Sequence, residues 1–179
     1  MTVPVTVSIQ HADFDLAEEV AALTNCRADV GAVVTFIGIC RRDEDSKGAT
    51  ALTIEHYSGM AEAEIGRHVE EAMSLWPLTG LTLIHRIGRV EVGENIVVVL
   101  TASAHRQAAF QAAEFLMDFL KTRAPFWKRE ETSNGANWVD AQSQDGAAAA
   151  RWANRCADIH ELSYNRERAD LRVVGRTNT

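Results

Sequence analysis

Residues 81–103, LTLIHRIGRVEVGENIVVVLTAS, place two β-rich apolar runs on either side of a short acidic stretch. LTLIHRIGRV (81–90) and NIVVVLTAS (95–103) have strand composition, and Glu91-Val92-Gly93-Glu94 reads as the turn joining them into a hairpin. Downstream, Ala108, Ala112, Phe115 or Leu116, and Phe119 recur at helical spacing and predict a helix from about Ala104 to Lys121, with the Ser103 hydroxyl placed to cap it. Pro125 forces Ala124 out of helical geometry, so the helix ends soon after Lys121. Upstream, TALTIEHY (50–57) predicts a strand, and Ser58-Gly59 open a helix running through Ala61, Ile65 and Val69 to Trp76, where Pro77 stops it. GAVVTFIGIC (31–40) is too continuously apolar for one face to meet water and predicts a strand in the middle of a sheet. VPVTVSI (3–9) alternates like a strand, and Asp15 begins a helix whose Leu16, Val20 and Leu23 share a face. Trp138-Val139 reads as a last short strand, followed by an alanine-rich helix through Arg151-Trp152. This order lacks the strict alternation of a doubly wound fold and has no phosphate-binding glycine fingerprint. The expected class is α+β, a mixed or antiparallel sheet packed with helices.

The length of 179 residues, with 46% hydrophobic and 24% charged, suits one domain over 1–155 followed by a polar, arginine-rich extension over 156–179. No apolar run approaches the roughly 20 residues that cross a bilayer, and MTVPVTVSIQ lacks the basic start and apolar block of a secretory signal, so a cytoplasmic location is expected. Cys26, Cys40 and Cys156 have no metal-type spacing and read as small buried or half-buried thiols. A net charge of −7 argues against sequence-independent nucleic-acid binding; a bound anion should be small and held locally.

Against that acidity, KTRAPFWKRE (121–130) collects Lys121, Arg123, Lys128 and Arg129 around an apolar centre, although the whole chain has only three lysines. Two ammonium groups sharing a partly dry pocket would lower each other's pKa toward the range of a general acid or base. An ordinary lysine at a helix C-terminus accounts for Lys121 equally well. His105 and Arg106 sit in the first turn of the predicted helix, where the dipole disfavours cations by about 0.3–1 kcal/mol. A bound anion would remove that conflict; so would Arg106 leaning to a surface carboxylate while His105 packs neutrally. Arg41 and Arg42 leave the 31–40 strand in a charged loop, which is either functional or simply solvated. His56 and His85 lie within strands and read as structural, and Glu62, Glu64, Glu70 and Glu71 read as a solvated helix face.

GAVVTFIG followed by Arg41, then LTIEHYSGM, WPL, LIHRIGRVEVGE, TASAHR and FLKTRAPFWKRE with a following WVDA, resemble the catalytic large subunit of molybdopterin synthase, in order over about residues 30–152. The resemblance implies an α/β hammerhead-type fold and a homodimer within a heterotetramer. It also implies a small ubiquitin-like sulfur-carrier partner whose Gly-Gly C-terminus bears a thiocarboxylate, and cyclic pyranopterin monophosphate as the substrate converted to molybdopterin. It gives Lys121 and Lys128 as catalytic residues and Arg41, His105, Arg106, Arg129 and Glu130 as substrate-binding ones, with no cofactor and no metal at the site. The chain differs from the family at Ile39 and Gln142, where lysine and arginine are frequent. These cations are expected to gather into one electropositive hollow that holds two mutually repelling anions. A noncatalytic anion-binding scaffold dimer would use the same hollow without transferring sulfur.

Overall fold

The computed structural model describes residues 2–42, 49–132, 135–138 and Trp152. They form β1 (Val5–Gln10), α1 (Leu16–Thr24), β2 (Ala32–Ile39), β3 (Ala49–His56), α2 (Met60–Leu75), β4 (Leu78–Arg86), β5 (Gly88–Glu91), β6 (Asn95–Ser103), α3 (Arg106–Thr122), β7 (Phe126–Thr132) and β8 (Gly135–Trp138). One sheet, A, has the order β1-β4-β6-β2, and the second, B, has the order β5-β3-β7-β8. Sheet A is mixed, since β1 runs parallel to β4 while β4–β6 and β6–β2 are antiparallel. Sheet B is antiparallel throughout. The class is α+β, as expected.

The 81–103 stretch does form a hairpin, with Leu83 opposite Val99 and His85 opposite Val97. The expected 81–90 strand, however, is two strands. Gly88 takes φ +77°, a left-handed backbone that glycine adopts at least cost, and turns the chain out of sheet A. Gly88–Glu91 then pairs with Ile54–Ala51 in sheet B. A Cβ on Gly88 would lie 2.6 Å from His11 Nδ1. One glycine thus divides an apolar run between two sheets and fixes where they meet.

β2 corrects a second expectation. It stands at the edge of sheet A rather than its middle. Its unbroken apolar composition serves its two faces: Val33 and Ile37 pack with Ile84, Val98 and Leu100, while Phe36 and Ile39 remain 38% and 54% exposed. A third correction is β7, a strand missed in KTRAPFWKRE because its charge conceals a two-residue alternation.

The helices follow their apolar periods. Asp15 caps α1 by accepting from the Ala17 and Glu18 amides. α2 and α3 cover one face of sheet A and bury Ile65, Val69, Phe115, Leu116 and Phe119 against Leu81, Leu83 and Val99. Each such side chain contributes about 1.5–3 kcal/mol by burial. The other face packs Leu23 of α1 on Ile84, Val98 and Leu100. The Trp152 indole donates to Asp118 Oδ2 of α3 at 2.7 Å. The rest of the expected alanine-rich helix, Val139, Gln142, Cys156 and the 156–179 extension lie outside the described residues.

Candidate functional site

α3 starts only two residues after β6 ends, so it runs back along the sheet, and Thr101 Oγ1 donates to the Ala109 carbonyl to hold the two together. The helix therefore begins at the Ser103 end of β6 and finishes at the Asn95 end. The N-cap is His105, not Ser103; its side chain makes no capping bond. The Ser103 hydroxyl instead donates to the Pro77 carbonyl at 2.9 Å and accepts from the His105 amide at 3.3 Å. The first turn of α3 holds no acid, so the unfavourable placement of exposed Arg106 stands as read.

Lys121 is exposed in the last turn of the same helix. Fifteen residues separate it from Arg106, a rise of about 22 Å. Within one chain, His105 and Arg106 cannot enter a pocket with Lys121.

The remaining predicted residues divide by the pleat of β7. Phe126, Lys128 and Glu130 alternate onto one face and lie opposite His56, Ile54 and Leu52 of β3. Ile54 is fully buried, packed with Cys40 and Val90, so this face turns inward. Burial raises the Cys40 thiol pKa, and the charges of Glu130 and then Glu94 add to the rise. Trp127, Arg129 and Glu131 point the other way. Arg129 lies over the Trp138 ring at 5.8 Å, its Nε buried without a hydrogen-bond partner, and both tryptophans are at least half exposed. Arg129 is thus not brought to the face of Lys128.

Exposed Arg41 directly follows Cys40, whose amide donates to the Glu94 carbonyl at 2.8 Å and whose carbonyl accepts from Gly93 at 2.7 Å. That ties the Arg41 loop to the Asn95 end of β6, the end where α3 finishes. After Thr122 the chain reverses within a few residues, with the Phe126 amide donating to the Ala124 carbonyl. Arg41, Lys121, Lys128 and Glu130 accordingly belong to one end of the chain, and His105 and Arg106 to the other.

Sequence reasoning set aside two histidines that lie at this first end. His85 stacks on Phe126 with centroids 4.0 Å apart and an interplanar angle of 11°. His56, held 3.3 Å from Glu62 Oε1, lies 6.3 Å from the same ring. The available signal was the alternation in FWKREET, which puts Phe126 and Lys128 on one side.

Residues 9–123 match the family model described as MoaE protein. The chain is 62% identical over 150 residues to the molybdopterin synthase catalytic subunit of Mesorhizobium japonicum, covering 82% of this chain and 92% of the relative. A molybdopterin biosynthesis MoaE protein from Burkholderia ambifaria superposes with a TM-score of 0.70 at 45% identity, covering 83% of this chain and 98% of that one. A protein–protein complex of subunits 1 and 2 of molybdopterin-converting factor from Helicobacter pylori shares the fold, with a TM-score of 0.65 at 22% identity over 76% of this chain and 92% of that one. With a family model spanning well over half its length and a relative this similar, the chain belongs to the MoaE family of molybdopterin synthase catalytic subunits.

Proposed function

We propose that the chain transfers sulfur to cyclic pyranopterin monophosphate, taking it from the C-terminal thiocarboxylate of a small ubiquitin-like partner. The observation that carries this reading is the fold-back of KTRAPFWKRE, which returns Lys128 to the inward face of sheet B at the end where Lys121 and Arg41 lie. Both reactants are anions, and cations clustered at one end offset their repulsion while the exterior stays acidic. The thiocarboxylate sulfur attacks a side-chain carbon of the pterin, forming a carbon–sulfur bond as that carbon's bond to oxygen breaks and the displaced oxygen takes up a proton. Lys121 handles the accompanying proton and the transient acyl contact, and Lys128 steadies charge that develops on the substrate. Water then breaks the remaining bond between sulfur and the partner's terminal carbonyl, releasing the partner as a carboxylate. Two such deliveries complete one dithiolene.

The assembly in this reading is a homodimer at the core of a heterotetramer in the cytoplasm. The 22 Å span of α3 favours a site completed by two copies, with Arg41, Lys121, Lys128 and Glu130 from one and His105 and Arg106, at their helix N-terminus, from the other. Arg129, on the opposite pleat face, is not assigned to this group of cations. The test is incubation of the chain with a thiocarboxylated partner and cyclic pyranopterin monophosphate. Dithiolene product is expected, and its loss in Lys121→Ala with partner binding retained; a folded, partner-binding chain that forms no product would leave the anion-binding scaffold as the function.

A further inference from the structure

His85 takes no part in the chemistry proposed above, yet it is held with unusual completeness for a side chain only 4% exposed. It lies near the end of β4, on the face it shares with Leu81 and Leu83 beneath the helices. Nδ1 is 2.8 Å from the Arg86 carbonyl oxygen, so this nitrogen carries the hydrogen and donates it. The tautomer is thereby fixed, and Nε2 is left as an acceptor. Arg86 is itself clamped, donating through Nη1 to the Asn95 carbonyl at 2.9 Å and through Nε to the His11 carbonyl at 3.3 Å. The His85 ring is therefore tied through the Arg86 carbonyl to a residue whose side chain is itself held by Asn95 of β6 and by His11 just beyond β1.

On its other side the ring meets sheet B. Phe126 stacks on it nearly parallel, and Lys128 stands two residues farther along the same inward face of β7. Burial, joined by the charges of Lys128 and then His56, lowers the His85 pKa to about 4 against the opposing pull of the Arg86 carbonyl. The groups whose charge bears on the ring are thus Lys128 on β7 and His56 on β3, while Arg86 meets it through its carbonyl. A leucine or phenylalanine would fill the space without the cost of desolvating ring nitrogens.

We propose that His85 is a positioning residue for Lys128: fixed by the Arg86 carbonyl and stacked beneath Phe126, its uncharged ring locks β7 to sheet A and sets where the Lys128 amine is presented. The inference rests on the reading of Lys128 as a group that acts on the substrate. A shift of the amine by an ångström would be felt in turnover rather than in substrate capture.

The test compares His85→Phe with the wild-type chain in complex with the thiocarboxylated partner and cyclic pyranopterin monophosphate. Phenylalanine keeps the stacked plate but removes the donation to Arg86 and the acceptor nitrogen. The expected result is a kcat lower by about tenfold or more with KM within about twofold, and a displaced pH midpoint for chemical labelling of the Lys128 amine read by mass spectrometry. Wild-type kcat together with a wild-type labelling profile would reduce His85 to an aromatic filler and overturn the proposal. If His85→Phe does not fold, Lys128→Met replaces it: the His85 ring, followed by NMR, should titrate at higher pH once the ammonium is gone, and an unmoved titration overturns the proposal. Lys128→Met also separates the two claims. Retained turnover in that variant defeats the role of Lys128, whereas lost turnover with an unaltered His85→Phe defeats only the present inference.

Discussion

Gly88→Ala and Gly66→Ala are the same chemical change, and the structure gives them opposite signs. Gly88 sits at φ +77°, where an L-residue pays about 1–2 kcal/mol relative to glycine. Its new Cβ would also fall 2.6 Å from His11 Nδ1, so that exposed imidazole must move. Reduced freedom of the unfolded chain returns about 0.4–1 kcal/mol. The two backbone terms leave a loss of up to about 1.6 kcal/mol, and displacing the imidazole adds to it, so a net loss of about 1–2 kcal/mol, or roughly 2–8 °C in thermal midpoint for a chain of this size, is expected. Gly66 lies inside α2, where a Cβ meets nothing within 4 Å. There alanine should stabilise by about 0.5–1 kcal/mol. Urea unfolding of the two variants beside wild type measures both effects. Equal signs, or a Gly88→Ala variant as stable as wild type, would refute the view that this glycine is the hinge dividing the 81–91 run between the sheets.

Asp15→Ala removes a side chain that accepts from two amides and should cost about 1 kcal/mol, measured by denaturant unfolding. Phe115→Ala empties a site beneath Trp76 and Trp152 and should cost about 3–5 kcal/mol, with the same assay. His85 also predicts a pH dependence. Its folded pKa, near 4, lies below the reference value of 6.5, so the folded state favours the neutral ring. Its stability contribution is present above the unfolded value and is lost as pH falls from 6.5 toward 4, in total about 3 kcal/mol. Wild type should therefore lose about 3 kcal/mol relative to His85→Phe as pH falls across that window, with no relative change above it; a difference constant from pH 7 to pH 4 would contradict it.

Local chemistry was readable where a single residue decides it. Asp15 announced α1, Pro77 and Pro125 marked the ends of α2 and α3, and the apolar periods named Ile65, Val69, Phe115 and Phe119 as core. Pairing was less readable, because strands choose partners far away in the chain. GAVVTFIGIC has the composition of a central strand, but its edge position depends on β4 and β6 taking the middle of sheet A. The charge of FWKREET concealed β7, although its alternation separates Lys128 from Arg129. For the site, helix length held more information than was drawn from it. A helix from 104 to 121 already forbids His105 and Arg106 from reaching Lys121 in one chain. The family resemblance supplied the residue identities, and the strand and helix geometry divided them into two groups.

The central claim is that these two groups meet only between copies of the chain, and subunit mixing tests it directly. Lys121→Ala and Arg106→Ala, each expected to be inactive alone, are unfolded and refolded together so that dimers form at random. With a shared site, half the dimers carry one doubly defective and one intact site, so turnover should return to about a quarter of the wild-type value. Turnover that stays at the level of the separate variants, in a mixture shown to contain mixed dimers, would contradict the claim.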